Sequence, residues 1–388
     1  MFFTGNRLWV VVGAISIVAY PLYYLIGLAS INKVVPSIGK DTCAKIVSPE
    51  GLSFCEDIVL GNGVAYASCD PAREKRNKVL DYNYFSEGET IPSGNIWRID
   101  YTSTPPKSKP ISTYSKPSDF HPLGLAIDEE RKLILAINLP FDSEKALIEV
   151  FSIEDDGNLL HKRTIQHENL YTPNAVHIVD DHKWEASDGT PSFYFSNDHY
   201  YQKKLLKMLE NTAILPISNV MFYDARSNNA YPVIGGLSFA NGISGNDSTL
   251  FVSECNKRRV HQYNITLRPH EKDETKAVHV DYLQTVDVDM AVDNLEYDRV
   301  SGILVMAGHP KGLDFIRYAF ARDRSLQSVP KAGSLVMEWN SSSQSAPKVV
   351  FSDDGHYYAA SSTGALDSQN GKLLVSSLYD HGILVCDV

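Results

Sequence analysis

Residues 290–298 read Met290-Ala291-Val292-Asp293-Asn294-Leu295-Glu296-Tyr297-Asp298 and place an acid and an amide side by side in an apolar, strand-like run. Such a pair offers several oxygen donors and one negative charge, which suits a hard cation such as calcium. It is also ordinary turn chemistry. Three other points put an oxygen-bearing side chain beside an apolar run: Cys55-Glu56-Asp57, Pro173-Asn174-Ala175 and Phe239-Ala240-Asn241-Gly242-Ile243. These points form one site only in a fold that brings distant loops to one centre.

The rest of the chain repeats one pattern: a polar turn, an apolar strand, a few residues and a second strand. The pattern occurs over residues 128–153, 245–264, 298–318 and 367–388, with its third copy ending in an expected strand over residues 313–318. A period of roughly 40–70 residues with several strands per unit is typical of propeller blades, and a sandwich would not produce it. We therefore predict an all-β fold, a six-bladed β-propeller over residues 34–388.

Length and charge limit the classes of function. The 388 residues suffice for two ordinary domains or one large β domain. The formal net charge of −11, from 36 basic and 47 acidic residues, argues against a nucleic-acid partner. No C-x-x-C spacing occurs, which argues against a zinc site.

The N-terminal residues predict the compartment. Leu8 to Ile31 carries no charged residue, and a helix of this length, roughly 36 Å, would cross a membrane. We predict that residues 1–33 are a signal anchor that meets the membrane. A signal peptide cleaved after Ala29 and a buried core helix are the alternatives. Either a signal anchor or a signal peptide places the propeller in the secretory lumen or outside the cell, in agreement with glycosylation sequons at Asn246, Asn264 and Asn340.

One segment departs from the β pattern. Residues 198–210 contain strong helix formers, with Tyr201, Leu205 and Met208 on one stripe. The segment is interpreted either as a surface helix packed on the propeller or as an amphipathic lid or membrane-facing helix. The second alternative rests on the basic residues of its polar face, Lys203, Lys204 and Lys207.

Five cysteines leave at least one thiol free unless a second chain supplies a partner. Cys43 stands at the start of the predicted propeller and Cys386 two residues from the end of the chain. A bond between them would tie the first strand into the last blade and close the ring, so we predict this disulfide. Cys55, Cys69 and Cys255 are interpreted as buried small apolar residues rather than reactive thiols.

In their order and approximate spacing, five further motifs between Cys43 and Cys386 resemble the paraoxonase/arylesterase family. They are Glu56-Asp57-Ile58-Val59-Leu60-Gly61-Asn62-Gly63, Asn197-Asp198-His199-Tyr200, Phe239-Ala240-Asn241-Gly242-Ile243, Val292-Asp293-Asn294 and Gly308-His309-Pro310. The resemblance implies a six-bladed propeller with two calcium ions in its central tunnel, a disulfide joining its ends, and esterase or lactonase activity.

The resemblance also implies metal ligands. Those of the catalytic calcium match Glu56, Asn174, Asn241, Asp293 and Asn294, and all five residue types are kept. The structural calcium of the family would use Asp57 and the carbonyl of Leu125, but its third ligand, an Asp, is Ala175 here. We therefore expect one tightly bound calcium ion.

The largest departure from the family concerns its two proton-transfer histidines, which are Leu123 and Leu139 in this chain. His121, two residues from Leu123, would face the same way if the segment is extended, although a loop histidine held by hydrogen bonds is the alternative. The candidate catalytic residues that remain are His309, Asp198, His199 and Asp293.

The hypothesis from the sequence is a lumenal or secreted calcium-dependent hydrolase of carboxylic esters or lactones. One rival is a non-catalytic calcium propeller that serves as a scaffold or lipid-binding module. A further rival is a lyase similar to strictosidine synthase, which shares the propeller but does not need the five-residue ligand set. No Gly-x-Ser-x-Gly motif occurs, so the usual serine-hydrolase nucleophile is absent from the sequence.

Overall fold

The computed structural model describes residues 18–111, 113–343 and 345–388. Residues 18–29 form helix α1, and the part of the predicted N-terminal segment before them, residues 1–17, lies outside the described residues. Within the described ranges, we find no helix that combines the length and the apolar character needed to span a bilayer.

Strands make up most of the described chain. The N-terminal strands are β1 (Cys43–Ile46), β2 (Ser53–Gly61), β3 (Val64–Cys69), β4 (Arg76–Asn77), β5 (Tyr82–Asn83), β6 (Asn95–Asp100), β7 (Lys107–Pro110) and β8 (Thr113–Tyr114). The central strands are β9 (Pro122–Asp128), β10 (Leu133–Asn138), β11 (Leu147–Ile153), β12 (Leu159–Ile165), β13 (Pro173–Ile178), β14 (Phe193–Asn197), β15 (Ser218–Asp224), β16 (Asn229–Leu237), β17 (Ala240–Asn246), β18 (Thr249–Glu254), β19 (Arg259–Leu267) and β20 (Val278–Asp287). The C-terminal strands are β21 (Ala291–Asp298), β22 (Ile303–His309), β23 (Ser334–Asn340), β24 (Lys348–Asp353), β25 (Ser361–Asp367), β26 (Lys372–His381) and β27 (Ile383–Asp387).

Helices are short and stand between strands. The α-helices after α1 are α2 (Lys204–Thr212), α3 (Glu274–Ala277) and α4 (Gly312–Ala319). The 3₁₀ helices are Lys40–Thr42, Pro71–Glu74, His182–Trp184 and Cys255–Lys257.

The sheets follow one another along the chain. Strands β13 to β16, β17 to β20 and β21 to β24 each form a four-stranded antiparallel sheet in chain order, and β9 to β12 form another to which β8 adds in parallel. An eight-stranded sheet in the order β1-β27-β26-β2-β3-β6-β7, with β25 on β26, joins the two ends of the chain. Strands β2, β9, β13, β17, β21 and β25 contact one another in sequence, and β25 contacts β2 again. This closed ring confirms the prediction of an all-β, propeller-like fold.

The apolar core lies between neighbouring sheets. One cluster combines Leu135 and Ile148 of the β9–β12 sheet with Phe195 of the β13–β16 sheet. The next joins Phe222 to Val252 across the following pair of sheets. Each sheet therefore buries both of its faces against neighbours, which explains why its strands read as nearly continuous apolar runs.

The predicted disulfide between Cys43 and Cys386 is present, and it joins directly opposed residues of β1 and β27. Cys55 and Cys69 are buried, as expected, and neither is a free thiol. They form a second disulfide because β2 and β3 place them opposite each other. Cys255 is the free cysteine of the described chain, and burial raises the pKa of its thiol.

The strand expected over residues 313–318 was wrong, because this segment is helix α4. Its buried side chains, Phe315, Tyr318 and Ala319, recur at three- and four-residue spacing, as one face of a helix requires. Their cluster with Leu378 and Tyr379 packs α4 on the sheet that contains β26.

The helix predicted within residues 198–210 is α2, and its apolar stripe does not pack on the propeller. Leu205 and Met208 are 71% and 56% exposed, whereas Lys207 and Glu210 are buried. The Glu210 carboxylate accepts hydrogen bonds from the backbone N–H groups of Tyr200 and of the next residue. Polar contacts therefore hold α2 against the body of the protein and leave its apolar stripe exposed.

Candidate metal centre and active site

The candidate site lies where the ring-forming strands are irregular. Each of these strands departs from regular pairing at one level: β2 beside Glu56, β13 between Pro173 and Val176, and β17, β21 and β25 at corresponding places. Bulges redirect side chains and are common next to active sites. Here they occur at the predicted ligands, which we call the oxygen cage: Glu56, Asn174, Asn241, Asp293 and Asn294.

Hydrogen bonds fix which atom each amide of the oxygen cage presents. Asn241 Nδ2 donates to Asp293 Oδ1 at 2.8 Å, and Asn294 Nδ2 donates to Glu56 Oε1 at 2.8 Å. Asn174 Nδ2 donates to Asp198 Oδ2 at 3.1 Å. Because each nitrogen is engaged by a carboxylate, the amide oxygens remain available.

One oxygen of every cage residue is buried without a hydrogen-bond partner in the described part of the protein. These atoms are Glu56 Oε2, Asn174 Oδ1, Asn241 Oδ1, Asp293 Oδ2 and Asn294 Oδ1. Leaving such groups unpaired is costly, so five at one place indicate a missing positive partner. Two carboxylates and three amide oxygens match the ligand preference of calcium, and the residues therefore fit the ion.

The same cluster contains few of the residue types that bind transition metals. Within the described ranges, no group of three or more His, Cys, Asp or Glu side chains is placed to hold a metal. Amides supply most of the oxygen cage, which explains this result. The chemistry of the donors favours a hard cation over zinc or copper.

Burial perturbs the acids of this layer. Burial, followed by the neighbouring charges of Asp57 and Asp293, raises the pKa of Glu56 well above its usual value. Burial also raises the pKa of Asp57 to about 6, against the lowering effect of its hydrogen bonds. Carboxyls in this state release their protons more readily when a cation neutralises them.

Asp198 and His199 connect the oxygen cage to helix α2. His199 Nδ1 lies 2.6 Å from Asp198 Oδ1, and its Nε2 lies 2.8 Å from Nδ2 of Asn211 on α2. Burial raises the pKa of Asp198, but His199, Lys207 and the bond from Asn174 outweigh it, so the net shift is downward. The pair is therefore a hydrogen-bonded link behind one cage residue, with both ring nitrogens of His199 engaged.

His309 stands closest to the anionic part of the oxygen cage. Its Nε2 lies 3.4 Å from Asp293 Oδ2, and its ring stacks on Phe315 with centroids 3.6 Å apart. Nδ1 of His309 is buried without a partner among the described residues. Of the sequence-predicted histidines, His309 is thus the one that contacts a cage carboxylate and keeps one ring nitrogen without a hydrogen bond among the described residues.

Comparison with known proteins places this geometry in a family. The family model described as Arylesterase matches residues 84–388. The chain belongs to the arylesterase family. Serum paraoxonase/arylesterase 1 of Mus musculus is 30% identical over 88% of this chain and 84% of its own length. Serum paraoxonase/arylesterase 2 of Homo sapiens is 27% identical over 79% of this chain and 82% of its own length.

A solved structure supports the architecture. A luciferin-regenerating enzyme aligns with a TM-score of 0.50 at 10% identity, over 89% of this chain and 95% of that chain. At this identity the likeness concerns the fold alone.

This member of the arylesterase family has apolar residues at both positions of the expected histidine pair. Leu123 and Leu139 are buried in the same cluster, with Val176 between the two sheets. His121 does not replace them, because Asp70 contacts its Nδ1 at 3.1 Å and Asp119 its Nε2 at 3.2 Å. Two carboxylates thus engage both nitrogens of that ring.

The second calcium site implied by the family has different partners here. The Asp57 carboxylate accepts hydrogen bonds from the backbone N–H groups of Ile58 and Leu125 and lies 2.9 Å from the Thr363 hydroxyl. Ala175 is buried and offers no carboxylate. Three protein donors therefore engage Asp57, and the second carboxylate that the family would place beside it is absent.

Two contributors were missed by the sequence reasoning. The Thr363 hydroxyl accepts from Asn294 Nδ2 at 3.0 Å and lies 3.0 Å from the Glu56 carbonyl oxygen. A Cβ on Gly242 would come within 2.7 Å of Asn294 Cα, so only glycine permits this approach of β17 to β21. The polar run Ser361-Ser362-Thr363 inside an apolar stretch was the available signal for the threonine.

Of the predicted glycosylation sites, Asn246 and Asn340 end strands β17 and β23, and Asn264 lies within β19. Asn264 and Asn340 are exposed, and Asn246 is half-buried. Asn246 Oδ1 accepts hydrogen bonds from Ser248 and Thr249. Asn264 and Asn340 are therefore the more accessible acceptors.

Proposed function

We propose that this protein is a calcium-dependent hydrolase of carboxylic esters or lactones. The observation that carries the proposal is the set of five buried oxygens without partners, one on each residue of the oxygen cage. The names of its relatives, which include arylesterase and lactonase, support the reaction class. Calcium bound by the oxygen cage would polarise the substrate carbonyl and stabilise the negative charge that develops on its oxygen.

The residues of the oxygen cage have distinct roles. Glu56 and Asp293 supply the two negative charges that balance a divalent cation. The amides supply neutral oxygens, held in orientation by bonds from their nitrogens to Glu56, Asp293 and Asp198. Because the partners are themselves buried, the oxygens are positioned before substrate arrives, which favours catalysis by orientation.

In this proposal His309 is the general base. Its unpartnered Nδ1 accepts a proton from water, while the ring is held by stacking on Phe315 and by Nε2 near Asp293. Asp198 and His199 hold Asn174 and α2 in place and do not themselves present a free ring nitrogen. General-base assistance of this kind contributes typically about 10²–10⁴-fold to a rate.

We also propose the finer architecture and location. Counting the eight-stranded sheet as two blades gives six blades, in agreement with the six contacting inner strands. The N-terminal segment would meet the membrane as an anchor or direct secretion as a signal peptide. The word serum in the names of the relatives and the two disulfides support a location in the secretory pathway.

A panel of aryl esters and lactones tests the proposal. Hydrolysis is measured before EGTA treatment, after it, and after calcium or magnesium is added back. We expect activity to disappear with EGTA and to return with calcium only, since magnesium demands a smaller octahedral site. Activity that survives complete removal of calcium would contradict the proposal.

The second candidate is a non-catalytic calcium-binding propeller that acts as a scaffold or lipid-binding module. The buried Leu123 and Leu139 favour it, because they stand where the family is expected to carry its proton-transfer pair. Background rates on the whole panel, with calcium bound, would support this candidate instead.

A further inference from the structure

A cavity of about 220 Å³ opens beside the oxygen cage, and three basic side chains line it: Arg76, Lys78 and Lys207. We call it the basic pocket. Pro173 and Asp198 form part of its wall, and Asp198 Oδ2 lies 3.1 Å from Nδ2 of the cage residue Asn174. A molecule in the basic pocket is therefore one residue away from the oxygen cage.

Two of the cations share one acceptor. Arg76 Nη2 donates to the Pro140 carbonyl oxygen at 2.7 Å and to the Leu139 carbonyl oxygen at 3.0 Å. Lys78 Nζ donates to the same Pro140 oxygen at 3.4 Å. The two positive heads are consequently neighbours, and Arg76 is further held by the face of Phe141, 5.0 Å from its ring centre. Two positive charges this close repel each other, and an anion bound between them would offset the repulsion.

The third cation comes from helix α2. Lys207 Nζ donates to the carbonyl oxygens of Lys78 and Val79 at 3.1 and 3.4 Å. Neither Arg76 nor these two lysines forms a salt bridge with any described carboxylate. Asp198, the buried acid of the pocket wall, is already bonded to His199.

The energetic consequence is visible at Lys78. Burial first, and then the charges of Arg76 and Lys207, lower the pKa of this lysine to about 8 against the opposing charges of Glu144 and Asp119. The half-exposed Asp81 and the exposed Glu144 also line the pocket, but they lie toward solvent, where their charges are screened. The charges of Asp70 and Asp119 also act on Arg76, but both carboxylates contact His121. An anion inside the pocket would therefore be stabilised by three cations that form no ion pair with a described carboxylate.

We propose that the basic pocket binds a carboxylate on the substrate, so that the preferred substrates are esters or lactones whose acyl part carries a second, free carboxylate. This inference rests on the proposed hydrolase function. The two oxygens of a carboxylate match the neighbouring heads of Arg76 and Lys78, and such charge-assisted hydrogen bonds are the strong ones. The reacting carbonyl then points from the pocket toward the oxygen cage.

A matched pair of substrates tests the inference: the mono(4-nitrophenyl) ester of adipic acid and the corresponding diester in which the free acid is a methyl ester. The two differ in one charge. We expect kcat/KM to be higher for the acid by about tenfold or more, as hydrogen bonds to charged groups contribute that much. Equal values for the two substrates would overturn the inference.

Variants connect the preference to the pocket. Lys78→Gln and Arg76→Gln should each bring the ratio of kcat/KM toward one, and Lys78→Glu should favour the 4-nitrophenyl ester of 6-aminohexanoic acid over the adipate. Such a gain cannot come from misfolding. The control is Lys132→Gln, which removes an equally positive charge from an exposed pair with Asp155 and should leave the ratio unchanged. A ratio that Lys78→Gln leaves at the wild-type value would also overturn the inference.

Binding separates this inference from the proposed hydrolysis. The mono-anilide of adipic acid and the matching anilide with a primary amide in place of the free acid contain no ester bond, and calorimetry measures their binding to the calcium-loaded protein. If no ester is cleaved but the acid anilide binds at least about tenfold tighter than the primary-amide anilide, and Lys78→Gln removes the difference, the pocket assignment stands without the hydrolase. Equal binding of the two anilides would refute the pocket assignment whatever the hydrolytic result.

Discussion

Replacing Asp293 tests the oxygen cage at its most charged point. Asp293 Oδ1 accepts the hydrogen bond from Asn241, and Oδ2 is buried without a hydrogen bond among the described residues, 3.4 Å from His309 Nε2. Asp293→Asn keeps the shape but offers a single oxygen, so either the amide of Asn241 or the cation loses its acceptor. A hydrogen bond to a charged group contributes about 1.5–3 kcal/mol, roughly 10- to 150-fold in an equilibrium constant. With half the balancing charge also removed, we expect calcium affinity to fall at least about 100-fold.

The assay is competition for calcium between the protein and a chelator of known affinity. Asp289→Asn is the matched control, because Asp289 stands four residues earlier, its side chain is 68% exposed, and it pairs only with surface cations. Exposed pairs contribute about 0–1 kcal/mol, so this control should bind calcium as the wild type does. Asp293→Ala should lose both calcium and hydrolysis, and a dissociation constant for Asp293→Asn within about threefold of wild type would refute the cage.

Three further predictions concern the fold and the ions. Replacing both Cys43 and Cys386 by Ala removes a disulfide that spans a sequence separation of 343, so the free energy of unfolding in denaturant should fall by on the order of 5 kcal/mol. An unchanged unfolding midpoint would contradict ring closure by this bond. Metal analysis should find one tightly bound calcium ion per wild-type chain and a second in Ala175→Asp, and two ions in the wild type would contradict this. Burial raises the pKa of Asp57 from 3.8 to about 6, so between these pH values the calcium-free folded protein holds a proton that the unfolded chain has released. The thermal stability of the calcium-free protein should therefore fall as the pH rises from about 4 to about 6. A thermal stability that rises from about pH 4 to pH 6 in the presence of chelator would contradict the raised pKa of Asp57.

The propeller and the oxygen cage could be predicted because their signals are local and repeat. Strand bounds such as Leu133–Asn138 and Leu147–Ile153 match the apolar runs of the sequence. The cage residues each stand beside such a run, and a ring of inner strands necessarily brings them together. The level at which the strands bulge has no comparable signal in the sequence, since it depends on how adjacent strands pair.

Other features depend on contacts between distant residues. The apolar stripe of α2 left two orientations open, one packed on the propeller and one as a lid or membrane-facing helix. The bonds of Glu210 to backbone N–H groups and of Lys207 to carbonyls decide the orientation. The pairing of Cys55 depends on the register of β2 against β3, which the sequence does not specify. The basic pocket likewise could not be predicted from the sequence, because its cations come from segments that only the folded chain brings together.

The most direct test of the central claim is an activity titration of calcium-free protein with calcium. Bound calcium and ester or lactone hydrolysis are measured on the same samples, using the best substrate of the panel. Hydrolysis is expected to rise in proportion to calcium occupancy and to reach its maximum when one ion is bound per chain. Hydrolysis that is already complete without calcium, or that stays at background when the oxygen cage is filled, would contradict it.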